Sequence, residues 1–272
     1  MSTITISEQL GSLGTRIARA VAEKIHYKYL DKDKLGEILT DYGFGTHTLE
    51  KFDEKKPPFW DSLAIQRTNF LHSIQAAIYD FAQKGKVVIV GRGGQVLLKN
   101  IPGILHVRIF APFDLRVKRL VEDGKLDKKH AVQMLQQSDH DSAGYIHSFF
   151  HADWDDADLY DLLINTEKLS AATAEQMIID SVHSQEILEG VEKGKEKLAE
   201  LALAQKAEAK LAPLLGSDFR HVEIRVEKGV VRLRGRVTSF ALKEECERSA
   251  AALEGVEHVE NELSAVEPYY PV

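Results

Sequence analysis

An α/β fold, a parallel sheet with helices on both faces followed by a small α+β module, is what this sequence predicts, and three observations predict it. Residues 3–25, TITISEQLGSLGTRIARAVAEKI, read as a β-branched strand, a glycine-bearing loop over 8–13, and a helix with apolar residues at Ile17, Val21 and Ile25. Residues 86–90, KVVIV, are a continuous β-branched run, the pattern of a strand buried on both faces of a parallel sheet. From residue 222 the pattern changes to apolar and polar residues in alternation, the mark of strands with one buried face.

The opening strand, loop and helix leave the first N–H groups of the helix, and the positive end of its dipole, facing the loop, where an anion can sit. The phosphate loop of nucleotide kinases reads G-x-x-x-x-G-K-[ST], and Gly11, Ser12, Leu13, Gly14, Thr15 and Arg16 lack its Lys. Two readings of these glycines stand side by side: a tight turn in a structural βα unit, and a phosphate cradle.

The rest of the chain follows in order. Residues 26–31 are a short aromatic strand, and 32–40 a helix with Leu35, Ile38 and Leu39 inward. Residues 42–60, rich in Gly, Pro, charge and aromatics, are expected to be an irregular functional flap. An amphipathic helix over 62–83 precedes the KVVIV strand, which ends in Gly91-Arg92-Gly93-Gly94. An Arg between glycines at the carboxyl end of a central strand stands where ligands of open α/β sheets bind, although an exposed turn Arg has the same sequence. Residues 104–110 are the next strand, followed by a helix from Asp114 that carries Arg116, Lys118 and Arg119. Residues 126–150 are expected to form two helices joined around 138–142, with a strand over 159–165 and a helix from 169 after them. Strand and helix alternate, which makes the sheet parallel.

From residue 184 a Glu/Lys/Ala/Leu-rich helical run extends to about 215, and Gly190 and Gly194 are expected to bend or break it. The boundaries predicted are a first domain over 1–183, a helical linker over 184–196 and a second domain over 197–272. In that second domain Val222, Ile224 and Val226, a Glu-Lys-Gly turn, and Val231, Leu233 and Val237 make a hairpin. A helix over 241–253, a stop at Gly255 and a strand over 256–263 complete α-β-β-α-β.

With 272 residues, 44% of them hydrophobic, the chain can fill more than one core, and its net charge of −7 supplies no global field for long nucleic acids. The single Cys246 excludes an intrachain disulfide and fits a reducing compartment. No apolar run reaches the roughly 20 residues of a membrane span, and no basic-then-apolar leader opens the sequence, so a cytoplasmic location is expected.

Several blocks, in order, carry a resemblance over residues 1–182: ITIS with GSLG, YKYLD at 27–31, VIVGRGG at 88–94, HVRIFAPFDLRVKRL at 106–120, and DW with YDLLINTEKLS between 153 and 170. Together they resemble the cytidylate kinase-like proteins, a branch of the P-loop nucleoside monophosphate kinases. Residues 197–266 resemble a BON domain through VRLRGRV at 231–237 and GVEHVENEL at 255–263, a module held to contact phospholipid or protein.

The resemblance implies phosphoryl transfer from ATP to a small nucleotide, with Mg²⁺, if the chain is active. Such transfer depends on N–H donors and cations around the moving phosphoryl group. Gly11, Ser12, Leu13, Gly14, Thr15 and Arg16 would then hold the donor, with Arg16 partly replacing the absent Lys. Arg92 and Asp31 would hold the acceptor, and Arg16, Arg92 and Arg119 would stabilise the transferring group. The family has a basic residue where Thr15 stands and an Arg where Ser142 stands. Each missing charge-assisted contact costs about 3 kcal/mol, a factor of a hundred or more in rate. No metal site is assigned: Asp139, Asp141, Asp153, Asp155, Asp156 and Asp158 have no ligand spacing that recommends Mg²⁺, and among His140, His147 and His151 the last two are four apart, as zinc ligands can be, but no third ligand joins them. The expectation is a nucleotide- or anion-binding domain with a degenerate loop and lid, weak or inactive in turnover, joined to an interaction module. The alternatives are an active CMP-type kinase and a nonbinding scaffold.

Overall fold

A computed structural model describes residues 2–41, 64–124 and 126–266. The flap expected over 42–60 lies outside the described residues. The chain divides into two compact units, Met1–Lys195 and Glu196–Val272.

The first unit is built on five strands: β1 (Thr3–Glu8), β2 (Lys28–Leu30), β3 (Val87–Val90), β4 (Ile104–Phe110) and β5 (Leu162–Asn165). Their order is β2-β3-β1-β4-β5, and every pairing is parallel. The central strand β1 alternates Thr and Ile yet is buried on both faces. Its hydroxyls are accommodated by partners: Thr3 Oγ1 donates to Ala82 O, and Thr5 Oγ1 bonds His106 Nδ1 at 2.7 Å. Burial pushes the His106 imidazole down from its ordinary range, which keeps this buried ring neutral.

Helices α1 (Gly14–Lys24), α2 (Lys32–Asp41), α3 (Ala64–Lys84), α4 (Gly94–Leu97), α5 (Phe113–Gly124), α6 (Lys128–Phe150) and α7 (Ala171–Val182) complete most of this unit. Ile17 and Val21 of α1, Ile178 of α7, and Ile4, Ile6, Val107 and Ile109 of the sheet share one core. Ser170 caps α7, accepting from Thr173 N–H at 3.1 Å.

Two expectations fail here for physical reasons. Residues 128–150 form one helix, not two joined at 138–142, because the polar residues there make side-chain pairs instead of a turn. Asp139 accepts both guanidinium nitrogens of Arg116, and Gln137 Nε2 donates to Asp141 Oδ1 one turn away. Helix α8 (Gln185–Leu215) likewise continues through Gly190 and Gly194. These glycines permit close approach instead of breaking the helix. A Cβ on Gly190 would stand 2.5 Å from Gly103 N, and one on Gly194 would collide with Pro102 O.

The second unit has β6 (Val222–Glu227), β7 (Val230–Val237) and β8 (His258–Ala265) in that spatial order, with α9 (Phe240–Ala251) between β7 and β8 in the chain. β6 pairs antiparallel and β8 parallel to β7. The hairpin turns through Lys228 (φ 47°) and Gly229 (φ 77°), a pair of left-handed residues matched to the twist of the strands. Leu211, Ile224, Val231, Leu233, Cys246, Ala250 and Leu263 form its core. Arg232 and Arg234 lie across from Glu260 and Glu262 and bond them at 2.5 and 2.6 Å. Among the described residues no helix is long and apolar enough to cross a membrane.

Candidate functional site

Two turns at the carboxyl edge of the sheet make the site. β1 and β3 are neighbours, with Ile6 opposite Val90, so the loops that follow them emerge side by side. After β1 the chain passes through Gly11 (φ 78°) and Leu13 (φ 70°), both left-handed. Gly11 is required there: a Cβ would stand 2.8 Å from Leu120 Cδ1 and 3.1 Å from Arg116 Cβ. The first bond of α1 runs from Ile17 N–H to Leu13 O at 3.0 Å, so the N–H groups of Gly14, Thr15 and Arg16 precede the helical ladder.

Three successive carbonyls of this loop are held from behind. Arg116 Nη1 donates to Leu10 O at 3.3 Å, Arg119 Nη1 to Gly11 O at 3.2 Å, and Thr166 Oγ1 to Ser12 O at 2.9 Å. The two arginines are three apart on α5 and so reach adjacent peptides. Arg119 also donates to Thr166 Oγ1 and O. Arg116, 3% exposed, adds Ala111 O and both oxygens of Asp139, tying the loop to α6.

After β3 the chain passes through Gly91 (φ 70°), Arg92 (φ 58°) and Gly93 (φ 72°), three left-handed residues in succession, before α4 begins. A Cβ on Gly93 would collide with the Phe150 ring. Arg92 takes a conformation that costs a non-glycine residue about 1 kcal/mol or more, and it is 6% exposed.

Between the two turns lies a cavity of about 530 Å³. Its wall includes Gly11, Leu13, Gly14, Thr15, Arg16, Asp31 and Arg92, seven of the residues that sequence reasoning singled out. Ser12 and Arg119 stand outside this wall. Ser12 is fully buried, its N–H donates to Gln9 O at 3.0 Å, and its Oγ makes no hydrogen bond among the described residues. Arg119 is engaged with the loop carbonyl and Thr166. Asp31 has structural duties: its carboxylate accepts from Lys34 N–H at 3.0 Å at the start of α2, and from Arg19 Nη2 at 3.3 Å.

Sequence reasoning missed several residues of the wall. Arg19 projects into it one turn after Arg16, its guanidinium 5.0 Å from the Tyr29 ring centre. The spacing of three on one helix was the available signal. Burial pushes the Tyr29 phenol upward, and the neighbouring Arg19 guanidinium opposes that. Ser7 and Trp154 form another part of the wall. Arg108, 3% exposed, stacks on the Trp154 ring at 3.6 Å and donates to Ser7 Oγ at 2.9 Å and Asp155 Oδ1 at 2.8 Å. Trp154 Nε1 donates to the same Ser7 Oγ at 2.9 Å. Burial lowers the Arg108 guanidinium from its ordinary value, with Tyr160 and Asp155 opposing. From α6 the wall receives Ser138, Ser142, Tyr145 and Ile146, none of them cationic.

The acidic residues around α6 are dispersed over separate tasks: Asp139 on Arg116, Asp155 on Arg108, Asp153 and Asp156 on backbone N–H groups two residues ahead. Among the described residues no group of three or more His, Cys, Asp or Glu is placed to hold a metal ion.

Comparison with known proteins identifies two families in the chain. Residues 3–168 match the model of the cytidylate kinase-like family, and residues 200–267 match that of the BON domain. Cytidylate kinase of Staphylothermus marinus is 29% identical over 171 residues, covering 62% of this chain and 90% of that protein. Cytidylate kinase of Archaeoglobus fulgidus is 27% identical over 186 residues, covering 68% and 96%. The crystal structure of an uncharacterized protein from Eubacterium ventriosum aligns with a TM-score of 0.53 at 25% identity, covering 68% of this chain and all of that one.

Proposed function

We infer, because this chain belongs to the cytidylate kinase-like family, that its first unit binds a small nucleotide or other phosphate-bearing anion between the β1 loop and Arg92 and turns it over weakly or not at all. The observation that carries this reading is the shared cavity, which the loop and Arg92 both line. Backbone N–H groups at the start of α1 and the guanidinium of Arg16 provide donors on one side. Arg92 provides a fork for a phosphate on the other.

Weak turnover follows from the distribution of cations. Phosphoryl transfer needs positive charge converging on the moving group from several sides. Here Arg116 is bound to Asp139, Arg119 to the loop, and Arg19 to Asp31, while α6 presents Ser138 and Ser142 where a lid would bring charge. Bound ATP would supply the phosphoryl group, with Mg²⁺ offsetting its negative charge, and Gly11, Leu13, Gly14, Thr15 and Arg16 are the residues that would hold the nucleotide. Ser12 would shape that loop from behind its wall.

The alternative, an active CMP-type kinase, is favoured by the curated relatives, which carry the name cytidylate kinase. A coupled assay with CMP, dCMP, UMP and AMP separates the two. Rates far below the 1–100 per second of ordinary kinases are expected, and rates inside that range overturn the weak-turnover reading. Thermal shift with ATP, CMP and both tests binding itself: a ligand at a hundred times its Kd stabilises by about 2.7 kcal/mol. A melting curve that no nucleotide moves favours the nonbinding scaffold.

The BON domain is proposed as the interaction module, with protein or phospholipid as its partner. Pairing of Arg232 and Arg234 with Glu260 and Glu262 leaves that sheet face nearly neutral, which supports a protein partner over an anionic lipid surface. Flotation with anionic and with neutral vesicles tests this; selective capture by anionic vesicles overturns the preference.

A further inference from the structure

The start of α1 already has an anion beside it, and that anion belongs to the protein. Glu8, the last residue of β1, lies against the first turn of α1, and Thr15 Oγ1 donates to Glu8 Oε1 at 2.5 Å. A Cβ placed on Gly14 would collide with the Glu8 carboxylate, so the glycine at the helix start is the space that the carboxylate fills. Glu8 lines the same cavity as Arg16 and Arg92. A carboxylate so placed gains from the helix dipole and repels a phosphate brought to the N–H groups of that turn.

We propose that Glu8 is the specificity-determining residue of this cavity: its carboxylate stands in for a donor phosphate, so the site takes a monophosphate ester at Arg92 and turns away a polyphosphate chain. This rests on the reading of the cavity given under Proposed function. The two sides of the cavity differ in the required sense. On the β1 side a phosphate must displace Glu8 from Thr15 or share the helix terminus with it. On the β3 side the described residues of the wall include Val90, Gly91, Arg92, Gly93 and Gln95, whose side chains bear no carboxylate.

Calorimetric titration of the full chain with CMP and, separately, with ATP tests this in the wild type, Glu8→Gln and Glu8→Ala. The amide keeps the shape of the side chain and removes its charge; the alanine also removes the bond to Thr15. Both variants are expected to bind ATP about tenfold or more tightly than the wild type, since a nearby like charge is gone, with CMP binding unchanged. ATP affinity that is the same as in the wild type, or lower, in both variants overturns the role of Glu8 while leaving the cavity reading intact. Absence of CMP binding in all three proteins overturns the cavity reading and this proposal with it.

Discussion

The turns after β1 and β3 are built alike and do different things. Both follow buried parallel strands, both pass through left-handed residues, and both lead into a helix at the same edge of the sheet. Around the first, Arg116 and Arg119 lie behind the backbone and hold its carbonyls, while Glu8 occupies the front. In the second, Arg92 belongs to the turn itself and lines the cavity. The contrast teaches that a glycine-rich turn does not define an anion site. What defines it is which charges stand before the turn and which stand behind it.

The largest effect is expected from weakening the support behind the first turn. Arg116→Ala removes a buried guanidinium from two carbonyls and from Asp139, and leaves that carboxylate unpaired. Because Asp139 is itself partly exposed, a loss at the low end for a broken buried pair, about 3 kcal/mol, is expected in urea unfolding. A loss under about 1 kcal/mol would mean that the loop is not held by this side chain.

Next is the second turn. Gly93→Ala forces a Cβ into a left-handed position against the Phe150 ring. Strain and overpacking together predict a loss of about 2–3 kcal/mol, read from the same unfolding curves. An unchanged midpoint would show that the turn can take another conformation, and the likeness of the two turns would then fail.

A smaller effect sharpens the comparison at the wall that both turns share. Trp154→Phe keeps an aromatic ring beside Arg108 and deletes the N–H that reaches Ser7. About 1 kcal/mol of stability should be lost. Nucleotide affinity should change less than for any substitution at Arg92, as thermal shift would read. Equal losses of affinity would make Trp154 a binding residue.

Much of this architecture is legible in the sequence, and the reasons are local. The runs at 87–90 and 104–110 are apolar enough to be strands buried on both faces, whereas α9 ends at Ala251, four residues before the stop expected at Gly255. What was illegible depends on partners distant in the chain. The run around 138–142 has the composition of a connection until Arg116 is known to grip Asp139. Gly190 and Gly194 resemble helix breakers until Pro102 and Gly103 are known to pack against them. The same holds within the candidate site. Arg92 could be picked out because the end of a central strand is a privileged place. Arg119 has the composition of a catalytic cation, yet its guanidinium is taken up by Gly11 O and Thr166. Glu8 carried no warning in sequence, since its weight comes from lying over Gly14 and against Thr15.

The most direct test of the account is calorimetric titration of CMP into the wild type and into Arg92→Ala. Loss of a charge-assisted phosphate contact predicts binding weakened about ten- to hundredfold in the variant, with the melting curve showing it folded. CMP binding of equal strength in both proteins would contradict the claim that the two turns enclose one anion site.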